Sequence, residues 1–271
     1  MPELQTITVQ PSGLETYYYR SGSGRPLLYL HHMLGIVGWE QALEELSQTF
    51  DVIAPFHPGW GRAKDQLPEV ATNLDLVLHY VDFLDALGLE RVSIAGISIG
   101  AWIAAEFAAI VPGRVERLVL VNPIGIWDEH AQGEDPFAQS PARPTAVLFA
   151  QPELRSELLI GDRDPMESSI SELLDLRASA KFMWPIPDKG IVHRLPRIKA
   201  PTLVVTSERD RVVLPPLGEQ WRAGIAGAQL TTLPAAGHLA ELEQPAAFAA
   251  LVRGWVADGK VARSEVEAAA T

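Results

Sequence analysis

The chain has 271 residues, 47% of them apolar, enough for one large domain with a sizeable core or for two small domains. Its formal net charge of −12 argues against nucleic acid or an anionic membrane surface as the main partner. The absence of cysteine excludes disulfides, thiolate chemistry and cysteine-ligated metal. No secretory signal is visible at the start, and no apolar run reaches the roughly 18 residues of a membrane helix. We therefore expect a cytoplasmic protein.

The first half of the chain alternates between strand and helix patterns. Two short strands flank the turn Pro11-Ser12-Gly13 and predict an N-terminal hairpin. Uninterrupted apolar runs predict buried strands, and amphipathic stretches predict helices. The predicted strands are residues 4–9, 16–20, 26–31, 51–56, 92–95 and 115–121, and the predicted helices are residues 39–46, residues 73–87 and a helix that begins near residue 101.

The pattern changes after Pro123. Residues 126–197 carry scattered proline and acidic residues, with helical patches at 146–150, 152–160 and 168–180 and no obvious strand. Alternation then returns with strands at 201–206 and 229–233 and helices at 216–223 and 244–257, and residues 261–271 predict a frayed tail. This alternation predicts an α/β fold, a mostly parallel sheet with helices on both faces. Residues 1–125 and 198–260 would form its core, with 126–197 as a helical insertion.

A G-x-S-x-G sequence, Gly96-Ile97-Ser98-Ile99-Gly100, connects a predicted strand to a predicted helix. In that context the pattern is typical of a nucleophilic serine on a sharp, strained turn, where the glycines keep side chains out of the crowded space beside it. The bare pattern arises by chance in roughly one chain of this length in ten, given the usual frequency of glycine. The flanking strand and helix argue against chance, so Ser98 is the candidate nucleophile.

Two further residues follow other predicted strands. A serine hydroxyl needs an adjacent base that a third group orients. Asp210 follows the strand 201–206 and His238 follows the strand 229–233. Because the carboxyl ends of parallel strands share one edge of the sheet, we expect Ser98, Asp210 and His238 to converge there in the order serine, acid, histidine. A lone loop histidine or aspartate is more often a surface residue or turn former, and Glu208 is the alternative acid on the same loop.

At this point the chain resembles the α/β-hydrolase superfamily over nearly its whole length. The resemblance is carried by His31-His32, the Pro58-Gly59-Trp60-Gly61 loop, the Gly96–Gly100 turn, residues 118–122, residues 201–210 and Gly237-His238. It implies an eight-stranded, mostly parallel sheet with a helical cap over the active site. We expect no cofactor and no metal.

An oxyanion hole needs two backbone N–H groups where negative charge develops. One would belong to Ile99, directly after the nucleophile. By the resemblance, the second belongs to Met33, since the family pattern His-Gly-X maps onto His31, His32 and Met33. Here His32 replaces the usual glycine and either narrows the entrance, contacts substrate or points outward to water. The chain also has His57 where related proteins often carry an aspartate.

The candidate pocket residues are mostly large and apolar, which favours an apolar or aromatic acyl group. Large aromatics are more often part of the core, although those of the insertion need a surface to face. Arg194 and Arg197, at the end of the insertion, are candidates for binding a carboxylate. The pocket candidates are His32, Trp39, Trp127, Met183 and Trp184.

Three functions remain open at the level of sequence. The leading hypothesis is a serine hydrolase that cleaves a small ester or lactone through an acyl-enzyme on Ser98. The alternative is a carbon–carbon bond hydrolase of the meta-cleavage-product type, but those relatives tend to carry an aromatic residue where this chain has Leu239. The third is a non-catalytic ligand-binding protein. The expected partner is a small-molecule substrate, not nucleic acid or a membrane, and the expected state is a monomer or homodimer.

Overall fold

The computed structural model describes residues 1–139, 145–159, 164–185 and 188–261. In these ranges eight strands form a single sheet, with the first two pairs antiparallel and the remaining neighbours parallel. The strands are β1 (Leu4–Thr8), β2 (Glu15–Ser21), β3 (Pro26–Leu30), β4 (Asp51–Pro55), β5 (Val92–Ile97), β6 (Val115–Val121), β7 (Thr202–Ser207) and β8 (Gln229–Leu233). Their order is β1-β2-β4-β3-β5-β6-β7-β8, which confirms the predicted sheet.

Helices cover both faces of this sheet. They are α1 (Gln41–Ser47), α2 (Asn73–Ala86), α3 (Ile99–Ile110), α4 (Arg155–Leu159), α5 (Pro165–Met183), α6 (Pro215–Gly224), α7 (Ala240–Glu243) and α8 (Pro245–Asp258). Successive strand residues point to opposite faces. Leu28 and Leu30 accordingly join a core cluster with α2 and α3, whereas Leu27 and Tyr29 join one with α1 and α8. Among the described helices, none is long and apolar enough to cross a membrane.

Local sequence signals set several helix boundaries. Thr72 and Asp75 form a capping box at the start of α2, and Asp164 caps α5 through the N–H groups of Met166 and Glu167. Helix α3 begins at Ile99, two residues before the predicted start. The loop after β4 contains a 3₁₀ segment at Gly61–Glu69, and α7 was not predicted, because four residues are too few to show helical periodicity.

The segment between β6 and β7 shows helical structure and no strand in its described residues. Helix α5 is longer than the predicted 168–180, and α4 is preceded by a 3₁₀ turn at Pro152–Leu154. Three more 3₁₀ turns, Ala146–Leu148, Ile191–His193 and Leu195–Arg197, complete its described structure. The division into a core and a cap at residues 126–197 stays a prediction, and the predicted tail beyond residue 261 lies outside the described residues.

Candidate active site

The turn between β5 and α3 holds Ser98 in a backbone conformation that is rare for a residue with a side chain. Its φ is 58° and its ψ is −122°, and its N–H donates to the carbonyl of Val121 at 2.9 Å. A Cβ added to Gly96 would lie 2.5 Å from the carbonyl oxygen of Gly100, and one added to Gly100 would lie 2.1 Å from that of Leu30. Both glycines are therefore required by close backbone contacts around the serine.

The side chains of Ser98, His238 and Asp210 lie in one hydrogen-bonded row. His238 Nε2 is 2.7 Å from Ser98 Oγ, and His238 Nδ1 is 2.8 Å from Asp210 Oδ2. The second carboxylate oxygen of Asp210 accepts the N–H groups of Val212 and Val213 at 2.8 and 3.0 Å. Since Asp210 accepts the Nδ1 proton, Nε2 is left free to take the serine proton. The row is almost completely buried, and it can activate a hydroxyl for attack on a carbonyl carbon.

Glu208, the alternative acid, does not reach His238. Its Oε2 accepts the N–H of Ala235 at 2.9 Å and so supports the loop that leads to His238. That loop is held a second time by Glu243, whose carboxylate accepts the N–H of Gly237 at 2.7 Å and that of Ala150 at 2.9 Å. Geometry therefore favours Asp210 as the partner of His238.

Asn122, which the sequence analysis did not select, is part of this arrangement. It follows β6 with a φ of 45°. Its Nδ2 lies 2.9 Å from Ser207 Oγ, 3.2 Å from the carbonyl oxygen of Gly237 and 2.9 Å from that of His238. Asn122 thus ties the ends of β6 and β7 to the histidine loop. The available signal was its position, a polar residue directly after a buried strand at the edge that carries the other site residues.

Two N–H groups are placed to bind an oxyanion. Strands β3 and β5 are parallel neighbours, with Leu30 opposite Gly96, so the loops that follow them lie side by side. Within the described residues the N–H groups of Met33 and Ile99 have no acceptor. Ile99 opens α3, where the helix dipole adds partial positive charge. These donors could stabilise negative charge on a carbonyl under attack by Ser98.

Two buried histidines hold the loop that carries Met33. His31 donates from Nδ1 to the carbonyl of His32 at 2.7 Å and accepts the N–H of His57 on Nε2 at 3.0 Å. His57 donates from Nε2 to the carbonyl of His31 at 3.0 Å and accepts the hydroxyl of Tyr80. Burial lowers the pKa of His31 to about 3 and that of His57 well below its usual value, so both rings are neutral near pH 7. His57 is thus a backbone anchor in this chain.

His32 is fully buried, which excludes the alternative that it points outward to water. Its Nδ1 accepts the N–H of Leu34 at 3.0 Å, and its Nε2 lies 3.4 Å from Glu241 Oε1. The ring therefore contacts the loop and α7. It does not line the cavity beside the Asp210 loop.

A cavity of about 230 Å³ lies beside the loop of the acid. Three pocket candidates, Trp127, Met183 and Trp184, line it together with Val212 and Val213, the two residues that bond to Asp210. The cavity lining also contains acidic residues and no lysine or arginine among the described residues. The acidic residues are Asp128, Glu134 and Asp135.

The remaining sequence candidates lie elsewhere. Trp39 does not line this cavity: its indole donates to Glu44 at 2.6 Å and it packs edge-on against Tyr19. Arg194 binds both carboxylate oxygens of Glu106 at 2.5 and 2.6 Å, and Arg197 donates to a carbonyl of α3 at 3.1 Å. Both arginines are thus engaged by α3, which does not support the expectation that they bind a substrate carboxylate.

Comparison with known proteins agrees with this fold. Residues 27–251 match the model of the alpha/beta hydrolase family, so the chain belongs to that family. It is 28% identical to a 2-hydroxymuconate semialdehyde hydrolase from a Pseudomonas species, over 93% of both chains. It is 26% identical to a 2-hydroxy-6-oxo-6-phenylhexa-2,4-dienoate hydrolase from Burkholderia cepacia, over 93% of this chain and 96% of the relative.

Solved structures share the fold at lower identity. An enol-lactonase from Burkholderia xenovorans superimposes with a TM-score of 0.75 at 21% identity, over 94% of this chain and 100% of the other. A meta-cleavage product hydrolase from Pseudomonas fluorescens superimposes with a TM-score of 0.74 at 22% identity, over 94% of this chain and 98% of the other. The family and its hydrolase relatives support a hydrolase, and they span more than one kind of substrate.

Proposed function

We propose that this protein is a serine hydrolase that cleaves a small apolar or aromatic ester or lactone through an acyl-enzyme on Ser98. The observation that carries the proposal is the buried row Ser98–His238–Asp210, with contacts of 2.7 and 2.8 Å. Beside it lie two N–H groups for which the described part of the chain supplies no acceptor. A binding protein has no need for a buried base aligned on a strained serine, so the row favours an enzyme.

The reaction follows from the positions of the protons. Ser98 Oγ attacks the carbonyl carbon while His238 Nε2 takes its proton, and Asp210 stabilises the resulting imidazolium through Nδ1–H. The N–H groups of Met33 and Ile99 bind the oxyanion of the tetrahedral intermediate. Its collapse breaks the ester bond, and His238 gives the proton to the leaving oxygen. Water, deprotonated by His238, then attacks the acyl-enzyme and releases the acid and free Ser98.

The preference for a neutral, apolar acyl group rests on the cavity beside the Asp210 loop, whose lining does not itself include Ser98 or His238. Its walls include Trp127, Met183 and Trp184, and its described charged residues are all carboxylates. Glu134 is paired with Arg211 at 3.1 Å, so an anionic substrate would meet the carboxylates of Asp128 and Asp135 there. An uncharged ester would instead bury apolar surface. A small-molecule substrate also fits a volume of about 230 Å³.

The second candidate is hydrolysis of a carbon–carbon bond in a dienoate. It is favoured by the curated relatives, which at 25–28% identity include hydrolases whose names specify such substrates. Two features weigh against it. The substrates are anions by name, whereas the described cavity lining supplies no cation, and Leu239 follows His238 where an aromatic residue is expected.

One pair of measurements separates the candidates. A fluorophosphonate that modifies Ser98 in the wild-type protein, but nothing in Ser98→Ala, would establish an activated serine and exclude the binding protein. Wild-type enzyme is then compared on p-nitrophenyl esters of increasing acyl length and on a dienoate ring-fission product. Faster turnover of the esters supports the proposal, and a clear preference for the dienoate would replace it with the second candidate.

A further inference from the structure

The direction of the Met33 N–H is set by the peptide group that joins His32 to Met33. A trans peptide is planar, so this N–H points opposite to the carbonyl of His32. That carbonyl accepts His31 Nδ1 at 2.7 Å and the N–H of Gly35 at 3.2 Å. The contacts that hold the turn from His32 to Gly35 therefore also set the direction of the Met33 N–H.

The carbonyl on the other side of Met33 is also held. It accepts the indole N–H of Trp60 at 3.1 Å and the hydroxyl of Ser179, from α5, at 2.8 Å. Hydrogen bonds thus hold the backbone on both sides of the Met33 N–H, the group that would donate to the oxyanion.

The His32 side chain holds the turn from inside. Its Nδ1 accepts the N–H of Leu34 at 3.0 Å, so the ring is neutral with its proton on Nε2. Burial also lowers its pKa well below the usual value, which agrees with a neutral ring. A glycine at this position, having no side chain, could satisfy no such donor. Leaving this buried N–H without an acceptor would be costly enough to shift a short turn.

The far side of the ring rests against α7, which begins two residues after His238. His32 Nε2 lies 3.4 Å from Glu241 Oε1, longer than a well-formed hydrogen bond. Glu241 is fully buried next to Glu40, and burial raises the pKa of Glu40 to about 8 and that of Glu241 well above its usual value. Both carboxyls are therefore protonated near pH 7, and Tyr29 lies beside them. The fully buried ring therefore has an uncharged carboxyl beside its Nε2.

We propose that His32, enclosed between Leu34 and Glu241, is a positioning residue that aims the Met33 N–H at the oxyanion. The inference rests on the proposed function, because it assumes that Ser98 attacks an electrophile beside this N–H. His32 itself touches no reacting atom. Its effect reaches the reaction through the turn that it closes, and the same contact with α7 connects this turn to the segment that carries His238.

Three variants separate the two contacts of the ring. In His32→Asn, Oδ1 replaces Nδ1 and can still accept the N–H of Leu34. In His32→Gln, the amide nitrogen replaces Nε2 near Glu241, and the acceptor for Leu34 is lost. His32→Gly removes both contacts. His79→Gln is the matched control, because His79 is also buried but bonds to Thr16 at 3.2 Å, outside the turn.

The measured quantities are the rate of phosphonylation of Ser98 by a p-nitrophenyl phosphonate, kcat and KM on p-nitrophenyl esters, and Tm. Loss of an oxyanion donor costs about 10²–10³ in kcat. A misdirected donor should cost part of that, so we expect His32→Gln and His32→Gly to lower the phosphonylation rate and kcat about 10- to 100-fold, with KM within about threefold. His32→Asn should stay within about threefold of wild type, and the control should not change the rate.

Folded His32→Gln with the wild-type rate, or His32→Asn as slow as His32→Gly, would overturn the inference. If the glutamine and glycine variants fail to fold, a loss of more than threefold in His32→Asn still overturns the proposal, because that variant keeps the acceptor for Leu34. A wild-type Ser98 that is not phosphonylated overturns the proposed function and this inference together. A labelled wild type that shows the expected variant rates but cleaves no ester overturns only the proposed substrate class.

Discussion

Asp210 uses each of its carboxylate oxygens for a different task. Oδ1 accepts two backbone N–H groups, and Oδ2 accepts Nδ1 of His238. In Asp210→Asn the amide oxygen is drawn to the two backbone donors, which turns the NH₂ group toward His238. The imidazole proton then moves to Nε2, where the ring can no longer accept the proton of Ser98.

We therefore expect Asp210→Asn to lower kcat about 10⁴-fold, the size seen when a triad aspartate is replaced in this way. Glu208→Gln is the matched control, since its amide oxygen can still accept the N–H of Ala235, and it should stay within a few-fold of wild type. Steady-state kinetics on p-nitrophenyl esters measure both. A mild Asp210→Asn beside a severe Glu208→Gln would identify Glu208 as the acid.

The side-chain NH₂ group of Asn122 holds the histidine loop, and its replacement tests that role. Asn122→Asp has the same shape but replaces the NH₂ donor with an oxygen that faces the carbonyls of Gly237 and His238. We expect the free energy of unfolding to fall by about 1–3 kcal/mol, and kcat to fall as the histidine loop shifts. Urea unfolding and ester kinetics test this. An unchanged free energy of unfolding together with an unchanged kcat would contradict this role for Asn122.

From the sequence, the site could be predicted only for residues that follow a predicted strand. Ser98, Asp210 and His238 each follow a strand that the sequence predicts, so the sheet brings them to one edge. The direction of a buried side chain depends on neighbours that are distant in sequence. His32 turns toward Glu241, 209 positions further along the chain by numbering, and no local pattern marks that contact.

The segment that follows helix α5 carries Trp184, a side chain of the cavity wall. Trp184 is 52% exposed and lines the cavity, with Phe137 edge-on at 6.3 Å. Trp184→Ala should lower kcat/KM on long apolar esters by about 10–200-fold, equivalent to about 1–3 kcal/mol of binding to the transition state. Acetate esters, too short to reach the indole, should lose less than about twofold.

Trp39→Ala is the matched control for that experiment. Trp39 packs on Tyr19 and bonds to Glu44 outside the cavity, so its removal should not favour short esters over long ones. Melting temperatures complete the comparison. Equal losses on short and long esters with a lowered Tm would show that Trp184 is a core residue.

The elements themselves differ in how visible they are in the sequence. The buried strands appear as apolar runs, and α2 appears as a periodic stripe with a capping box. Helix α7 is too short for periodicity, and the 3₁₀ segment Gly61–Glu69 contains Pro68 and opens on a glycine, both typical of loops. Its shape depends on tertiary contacts, such as the 2.8 Å bond from the N–H of Gly61 to Asp175 of α5.

The interior of the molecule holds buried titratable groups whose pKa values are shifted in opposite directions. Burial lowers the pKa of four histidines, to about 3 for His31 and about 4 for His79. The other two are His32 and His57. Burial raises the pKa of Glu40 to about 8 and that of Glu241 well above its usual value. The folded protein therefore resists protonation of the histidines and ionisation of the carboxyls.

These shifts predict stability that falls on both sides of about pH 6.5. As the pH falls from 6.5 toward 3, histidines of the unfolded chain bind protons while those of the folded protein stay neutral. The free energy of unfolding therefore decreases. As the pH rises from about 4.5 to 8, the folded protein keeps the Glu40 proton that the unfolded chain has lost, so stability also decreases. Below pH 6.5 the four histidines change the free energy of unfolding more than the two carboxyls do. Above pH 6.5 the decrease in this free energy comes from the carboxyls.

The alkaline side gives the sharper test. Each proton is worth about 1.4 kcal/mol per pH unit, so Glu40 alone should remove about 2 kcal/mol between pH 6.5 and 8. Glu40→Gln cannot ionise and should unfold with a shallower decline over that interval, and it should be more stable than wild type at pH 8. Urea unfolding of both proteins at half-unit steps from pH 5 to 9 measures this. Parallel curves between pH 6.5 and 8 would mean that Glu40 is already ionised in the folded protein, which would require a cation or water beside it and beside Glu241.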